Sequence, residues 1–478
     1  MLKRVILVIA VFFGALSGFT QNTSVPEFRK LANLQKEMTL THAGIGIAVG
    51  DCATGELLFE SEPQLSLVPA SVLKLVTTAT ALEVFGPEFR FQTELEYTGI
   101  ISNDTLIGDL QIIGGGDPTL GSKYFPENQN FMDHWIKALQ DKNIQAIKGN
   151  LILDASIYES QTIPNTWIWE DMGNYYGAGA SGLTVFDNLY EIHLRSENTA
   201  DKLTQVVRVM PEIPNLILTN EVRSSDLNSD QAYVFGSPMD AKRVIRGTIP
   251  KGRTEFVVEA SIPNSVALLA NEFRNKLQAA GIFFSGETKS EKAGKSGISL
   301  TVTQSPPLTE MIRVTNHESV NLFAEHLLKH LAFQKNGLGT TKDGCKFVEQ
   351  FWTEKGIDLL GFFMSDGSGL SRFNAITASQ LVAILNYMKT KSVYSEDFLR
   401  SLATSGNGTL TVFSKDDFPN NCLRAKSGSM TRVRCYAGYL TTISGKQLSF
   451  AVMLNNFTCS QTEAIRKIKA VLTELRNE

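Results

Sequence analysis

The sequence predicts a multidomain α/β protein in which one mixed helix-and-strand domain, built from both chain ends, is split by a β-rich insertion. Three observations predict it. The chain has 478 residues, more than one ordinary core accommodates, so two or three domains are expected. Helix and strand patterns occur before about residue 90 and return after about 300. Between them lie short β-like runs separated by Gly, Pro and Asn turns.

Bulk properties narrow the class. Hydrophobic residues make up 43% and charged residues 20% of the chain, and mean hydropathy is near zero. That is globular composition and excludes a multi-span membrane protein. Net charge is −4 with no basic block, so nucleic acid is not an expected partner. Peripheral contact with a membrane is compatible with this composition.

The elements follow in order. Met1 to Arg4 is basic, Val5 to Ala15 is apolar, and small or polar residues continue to Gln21. This is the layout of a signal peptide over residues 1–21, and the apolar run is short for a spanning helix. A retained anchor is the competing reading, and no cysteine near Gln21 invites lipidation. Pro26 to Met38 has helical spacing, Gly44 to Gly50 alternates like a strand, and Leu57-Leu58-Phe59 returns after a turn. Ser71 to Phe85 lacks Gly and Pro, is almost wholly apolar, and ends at Gly86-Pro87, which predicts a buried helix.

From about 91 to 300 come strand-like runs such as Phe91 to Tyr97, Leu110 to Ile113, Asn150 to Leu153 and Phe256 to Ala260. No long amphipathic helix is expected there before Ser265 to Ala280. Helical texture resumes at Leu308, with Val320 to Phe333, Cys345 to Glu354 and Thr377 to Lys389. The chain closes on strands Tyr436 to Ile443 and Gln447 to Leu454 and a helix from Gln461 to Arg476.

Five cysteines (Cys52, Cys345, Cys422, Cys435, Cys459) show no C-x-x-C spacing, so neither a zinc ribbon nor a thioredoxin-like motif is indicated. A hairpin would bring Cys422 and Cys435 together; small buried core residues are the equal alternative.

Ser71-Val72-Leu73-Lys74 places two chemical groups on one helix face, a turn apart. A serine hydroxyl becomes a nucleophile when a base takes its proton. A lysine is that base only when neutral, which burial in an apolar run favours. The S-x-x-K pattern alone is weak, since composition yields about two by chance, and a lysine snorkelling to solvent is the bland reading. Here it occurs once, behind Pro69-Ala70.

A serine acyl-enzyme also needs a proton relay, a holder for the substrate amide and a cation for a carboxylate. S-x-N supplies the first two and occurs at Ser196-Asn198, Ser319-Asn321 and Ser405-Asn407. Only Ser319 opens a strongly helical run; Ser196 lies in a polar stretch and Ser405 in a glycine turn. K-S-G supplies the cation and occurs at Lys295-Ser296-Gly297 and Lys426-Ser427-Gly428. The first sits in a polar loop, the second leads into a strand-like run. Ser319, Asn321, Lys426 and Ser427 are therefore the expected partners of Ser71 and Lys74.

These three motifs in this order resemble the penicillin-binding proteins and serine β-lactamases. Roughly 245 residues separate Lys74 from Ser319, which is similar to the class C low-molecular-mass, DacB-type D-alanyl-D-alanine carboxypeptidase/endopeptidases. Pro69-Ala70-Ser71, Gly114 to Leu120, Trp167-x-Trp169-x-Asp171-Met172 and Asp366 to Arg372 carry the same likeness. The glycine run at Gly114 lacks the Gly-Lys-Ser/Thr ending of a phosphate loop and reads as a turn.

The resemblance implies a transpeptidase/β-lactamase-like domain, an antiparallel sheet flanked by helices, from residues 22–90 and 301–478. It implies inserted domain II from 91–185 and 260–300, and β-rich domain III from 186–259. It implies that Ser71 attacks a D-Ala carbonyl, Lys74 takes the proton, Ser319 relays one to the leaving amine and Asn321 holds the amide. Lys426 and Ser427 would hold the terminal carboxylate, with Gly428 allowing close approach and the N–H groups of Ser71 and Ser429 forming an oxyanion hole. Asp171 would bind a diamino-acid amine beside Tyr176, and Arg372 would stand at the edge. Ser427 replaces the usual threonine, and Met430-Thr431 depart from the family pattern, so leaving-group preference is put on Asp171, Arg372 and Thr431.

The expected partners are peptidoglycan peptides, with β-lactam antibiotics as covalent inhibitors; no cofactor and no metal are expected, and oligomeric state is left open. His326 and His330 stand one turn apart without a third ligand and read as helix-surface histidines. A serine β-lactamase and a catalytically silent wall-binding scaffold are the alternatives.

Overall fold

The fold is held by a six-stranded sheet whose strands come from distant parts of the chain, as seen in a computed structural model that describes Lys30 and residues 33–238, 240–294 and 297–478. Its order is Ala403–Thr404, Leu423–Met430, Val433–Thr441, Gln447–Asn455, Gly44–Asp51 and Leu57–Ser61, with every pairing antiparallel. The first strand of the described chain thus locks onto the last, Ile45 opposite Leu454 and Ala48 opposite Ala451.

Alternation along these strands sends successive side chains to opposite faces. Ile45, Ile47, Val49, Phe450 and Val452 face a core closed by the helix Gln461–Arg476. Ala48, Ala451 and Met453 face the larger core around the helix Lys74–Phe85. That helix is buried through Leu82 and packed by helices Leu308–His317, Asn321–Asn336, Thr341–Glu354 and Ala378–Thr390. Being surrounded, it needs no solvent-facing stripe, and its buried threonines donate to carbonyls, Thr77 to Gly367, Thr78 to Lys74 and Thr80 to Val76.

The insertion forms further sheets. A five-stranded mixed sheet orders Thr288–Ser290, Leu151–Asp154, Leu110–Ile113, Gln92–Tyr97 and Ile298–Gln304. Two three-stranded sheets follow, one from Gln205–Met210, Leu189–Arg195 and Phe256–Ser261, the other from Ile217–Ser225, Lys242–Pro250 and Tyr233–Phe235. These elements share one core distinct from those of the six-stranded sheet.

Several expectations need correction. An amphipathic helix, Phe131–Asp141, interrupts the insertion well before residue 265. Its buried Phe131, Met132, Trp135, Ile136 and Leu139 repeat at helical spacing, and Trp135 packs edge-on to Phe273 at 5.4 Å. The signal-peptide segment 1–21 and residues 26–29, 31 and 32 of the expected Pro26 to Met38 helix lie outside the described residues; Lys30 and Asn33 are helical, and Leu34–Lys36 and Met38–Leu40 are two short 3-10 turns. Cys422 and Cys435 are both free thiols. The hairpin sets Gly428 opposite Cys435 and Leu423 opposite Leu440, so it holds the two cysteines apart along the strands.

Candidate active site

Ser71 sits at a corner held from two sides. Ala70 has φ +48°, a left-handed conformation costing about 1–2 kcal/mol for a residue with a β-carbon. A β-carbon at Gly369 would lie 2.0 Å from the Ala70 carbonyl oxygen, and one at Gly428 would lie 2.5 Å from that of Pro69. The segments 366–372 and 426–429 therefore clasp the turn through glycines, the contact that fixes it. From Ala70–Leu73 the chain runs as a 3-10 turn directly into the helix starting at Lys74.

Lys74 is fully buried. Its Nζ donates to Ser71 Oγ at 2.9 Å, Asn321 Oδ1 at 2.6 Å and the Ser368 carbonyl at 2.7 Å. None of these acceptors is charged, so burial dominates and lowers its pKa to about 7, against the opposing pull of Asp366 and Glu325.

Ser319 precedes its helix in a left-handed conformation, φ +65°, and Asn321 opens the helix Asn321–Asn336. The pair is thus brought together by a sharp entry, rather than by one helix face. Asn321 Nδ2 donates to the Tyr176 carbonyl at 2.8 Å, which orients the amide. Lys426, also fully buried, donates to Ser319 Oγ at 2.8 Å and to the Ser427 carbonyl at 2.9 Å. Burial pulls its pKa well below the ordinary lysine value, followed by the nearby Lys74 and Arg434, with Glu318 opposing.

A cleft of about 450 Å³ opens over these groups. Ser71, Ser319, Asn321, Ser427, Ser429, Thr431, Asp171, Tyr176 and Arg372 all line it. Lys74 and Lys426 lie behind that lining, and Gly428 packs against the serine turn. Asp171 is half-buried; burial raises its pKa to about 6, with Arg372 pulling it down and Glu170 adding repulsion.

Reading by motif missed several members. Glu325 lies one turn beyond Asn321 and is completely buried, accepting from Gly367 N–H at 3.0 Å and Ser368 N–H at 2.8 Å. Burial, then Asp366, push its carboxyl upward. Asp366 accepts from Trp167 Nε1 at 2.8 Å, Gly369 N–H at 2.8 Å and Asn374 Nδ2 at 2.8 Å. Together these carboxylates order the loop whose Ser368 carbonyl receives Lys74. A charged residue inside the apolar Val320 to Phe333 run was the available signal for Glu325. Glu170, Tyr175, Tyr233, Glu318 and Thr409 also line the cleft; Tyr233 reaches it from the insertion and carries no local sequence signal.

The competing motifs fall elsewhere. Ser196 Oγ is buried and donates to the Pro250 carbonyl at 2.7 Å, a strand-end tie instead of an exposed loop position. Ser405 belongs to a turn with Gly406 at φ +77°. Lys295 and Ser296 lie outside the described residues. His326 and His330 are not on the helix surface as expected but buried. His326 Nδ1 meets the Gly116 carbonyl at 2.8 Å, and His330 packs edge-on to Phe91 at 4.6 Å. Burial lowers them to about 3 and about 4, so both are neutral core residues that dock the insertion.

Comparison with known proteins gives a consistent result. The family described as the D-Ala-D-Ala carboxypeptidase 3 (S13) family matches residues 28–477. The chain is 26% identical over 460 residues to a D-alanyl-D-alanine carboxypeptidase of Actinomadura sp. (strain R39), covering 91% of this chain and 82% of that one. Penicillin binding protein 4 (dacB) from Haemophilus influenzae is similar in structure, with TM-score 0.80 at 22% identity over 94% of this chain and 98% of that one. The same protein complexed with a β-lactam gives TM-score 0.77 at 20% identity over 94% and 98% of the two chains. These two structures share the fold.

Proposed function

The chain belongs to the D-Ala-D-Ala carboxypeptidase 3 (S13) family, and from that premise we propose that it hydrolyses D-alanyl peptide bonds of peptidoglycan stem peptides, as carboxypeptidase, DD-endopeptidase or both, through an acyl-enzyme on Ser71. The observation that carries this reading is the 2.9 Å contact between Ser71 Oγ and the buried Lys74 Nζ. Neutral Lys74 accepts the hydroxyl proton as Oγ bonds to the D-Ala carbonyl carbon. The N–H groups of Ser71 and Ser429 hold the developing oxyanion. The C–N bond then breaks as Ser319, bonded to Lys426, passes a proton to the leaving amine. Water cleaves the ester in the second half-reaction.

Ser427 and Lys426 receive the terminal carboxylate in the carboxypeptidase reaction. Its negative charge, arriving beside Lys426, offsets the burial cost and favours the protonated lysine. Asn321 holds the substrate amide, Asp171 and Tyr176 face a substrate amine, and Arg372 and Thr431 bound the site where the leaving group is chosen.

Penicillin reacts as a substrate mimic in this scheme, and titration with nitrocefin tests it. The expected result is a burst of about one product per chain, followed by slow release. Sustained rapid turnover would point to a β-lactamase, and no burst or covalent adduct would point to a silent scaffold.

The lysine pKa sets a pH dependence. The base works only when neutral, and its folded pKa is lowered to about 7. The acylation rate constant should therefore fall about tenfold per pH unit below that value and level off above it. Stopped-flow acylation between pH 5 and 9 measures this; a flat profile across pH 7 would remove Lys74 as the base.

We also assign residues 22–90 and 301–478 to the catalytic domain, 91–185 with 260–300 to a second, and 186–259 to a third. Export by the 1–21 segment, which lies outside the described residues, fits a wall substrate. Among the described residues no helix is long and apolar enough to cross a membrane.

A further inference from the structure

One wall of the Ser71 cleft comes from the insertion. The strand Tyr233–Phe235 pairs antiparallel with Lys242–Pro250, Val234 opposite Ile245, and successive side chains point to opposite faces. Val234 is fully buried in the core of the insertion. Its neighbour Tyr233 therefore points the other way, 37% exposed and lining the cleft together with Asp171 and Tyr176. Phe235 shares the face of Tyr233 and stacks on Trp169 at 6.3 Å. Trp169 opens the short helix Trp169–Met172, which carries Asp171.

Asn174 joins that strand to this helix. It is buried; its Oδ1 accepts from the Val234 N–H at 2.9 Å, and its Nδ2 donates to the Glu170 carbonyl at 2.5 Å. A β-carbon at Gly173 would lie 2.1 Å from the Val234 carbonyl oxygen, so only a glycine lets the two backbones approach this closely. Both ends of one buried amide thus fix Tyr233 relative to Asp171, and losing it leaves the Val234 N–H without its acceptor.

Around Asp171 the wall is aromatic and acidic. Tyr175 and Tyr176 meet edge-on at 5.2 Å, Tyr233 lies within electrostatic range of both, and the Tyr176 hydroxyl donates to Asp171. Glu170 exposes a second carboxylate at the cleft. Tyrosine rings draw a cation to their faces, more strongly once water is displaced, and phenolic oxygens accept hydrogen bonds from an ammonium. Among the described residues lining the cleft, Arg372 is the one cation, against the carboxylates of Glu170, Asp171 and Glu318.

We propose that Tyr233 is a specificity-determining residue that, with Tyr175 and Tyr176, encloses the side-chain ammonium of the substrate on the acyl side of the cleaved bond, and that Asn174 is the positioning residue holding Tyr233 to Asp171. The inference rests on the Ser71 acyl-enzyme reading and adds that the insertion selects the substrate. An acetylated amine has lost the charge that the rings and carboxylates attract, so it is the poorer substrate.

The test compares D-alanine release by the full chain from Nα-acetyl-lysyl-D-alanyl-D-alanine and from the same peptide acetylated on its side-chain amine. Lysine presents the ammonium without a second carboxylate. The wild type is expected to prefer the free amine in kcat/KM. Tyr233→Leu should lower that preference about tenfold, and Tyr233→Phe, which keeps the ring, should retain most of it. Asn174→Ala should lower the preference too, by less in the Tyr233→Leu background than alone. A purely structural change slows both peptides equally and leaves the ratio unmoved. Thermal unfolding checks that Asn174→Ala folds, and the two variants of the exposed Tyr233 carry the test if it does not. No preference in the wild type, an unchanged ratio in Tyr233→Leu, or equal ratios for Leu and Phe would overturn the proposal, and full additivity would remove Asn174 as the tie. Release from neither peptide, with no penicillin adduct, would instead overturn the Ser71 reading on which it rests.

Discussion

Ser71→Ala is expected to eliminate D-alanine release and penicillin acylation while leaving the fold intact. Two serines of the cleft stand against buried lysines: Ser71 against Lys74, whose pKa burial lowers to about 7, and Ser319 against Lys426; in the proposed scheme Ser319 relays a proton and does not inherit the attacking role. Removing the nucleophile of a serine acyl-enzyme costs on the order of 10⁶ in kcat. Stability should change little. Lys74 keeps its bonds to Asn321 Oδ1 and the Ser368 carbonyl, so the truncation removes one hydrogen bond, worth about 1 kcal/mol. Intact-protein mass after penicillin treatment and a D-alanine release assay measure the chemistry, and thermal unfolding measures the fold. A retained adduct, or release well above background, would mean that another residue is the nucleophile.

Glu325→Leu should produce the largest loss of stability among single changes near the site and also impair acylation. The carboxylate is the acceptor for the Gly367 and Ser368 N–H groups, and leucine offers no replacement. Two buried donors left unpaired cost about 1–3 kcal/mol each, partly offset because a buried carboxylate beside Asp366 disappears. Relaxation of that loop moves the Ser368 carbonyl from Lys74, and a displacement of about 1 Å at a catalytic group costs about 10²-fold. Glu325→Gln keeps an acceptor and should retain most of both properties. Urea unfolding and the acylation rate constant distinguish these cases; equal behaviour of Leu and Gln would show that the carboxyl is not what orders the loop.

Much of this organisation is legible in the chain because it is encoded locally. The buried helix at Lys74–Phe85 follows from a largely apolar run without Gly or Pro, and the closing helix Gln461–Arg476 was expected at the same bounds. The helix Phe131–Asp141 carried an equally local signal and was obscured by the strand-like runs around it. The histidines are different. Nothing within the Asn321–Asn336 sequence says that the helix is covered on all sides, because the cover includes Tyr158 and Gly116 of the insertion.

The serine–lysine pair and its two companion motifs follow from residue order and spacing. Their choice over the competing copies rested on the helix or strand each copy adjoined. What folding alone decides is the environment that makes the lysine a base. Its acceptors Asn321 and Ser368 lie 247 and 294 residues away, and the carboxylates that order its loop, Glu325 and Asp366, arrive with those same two segments. The cleft wall adds Tyr233 from the insertion. Spacing reports which groups share a helical turn. Burial, the quantity that lowers the Lys74 pKa to about 7, is set by everything packed around it.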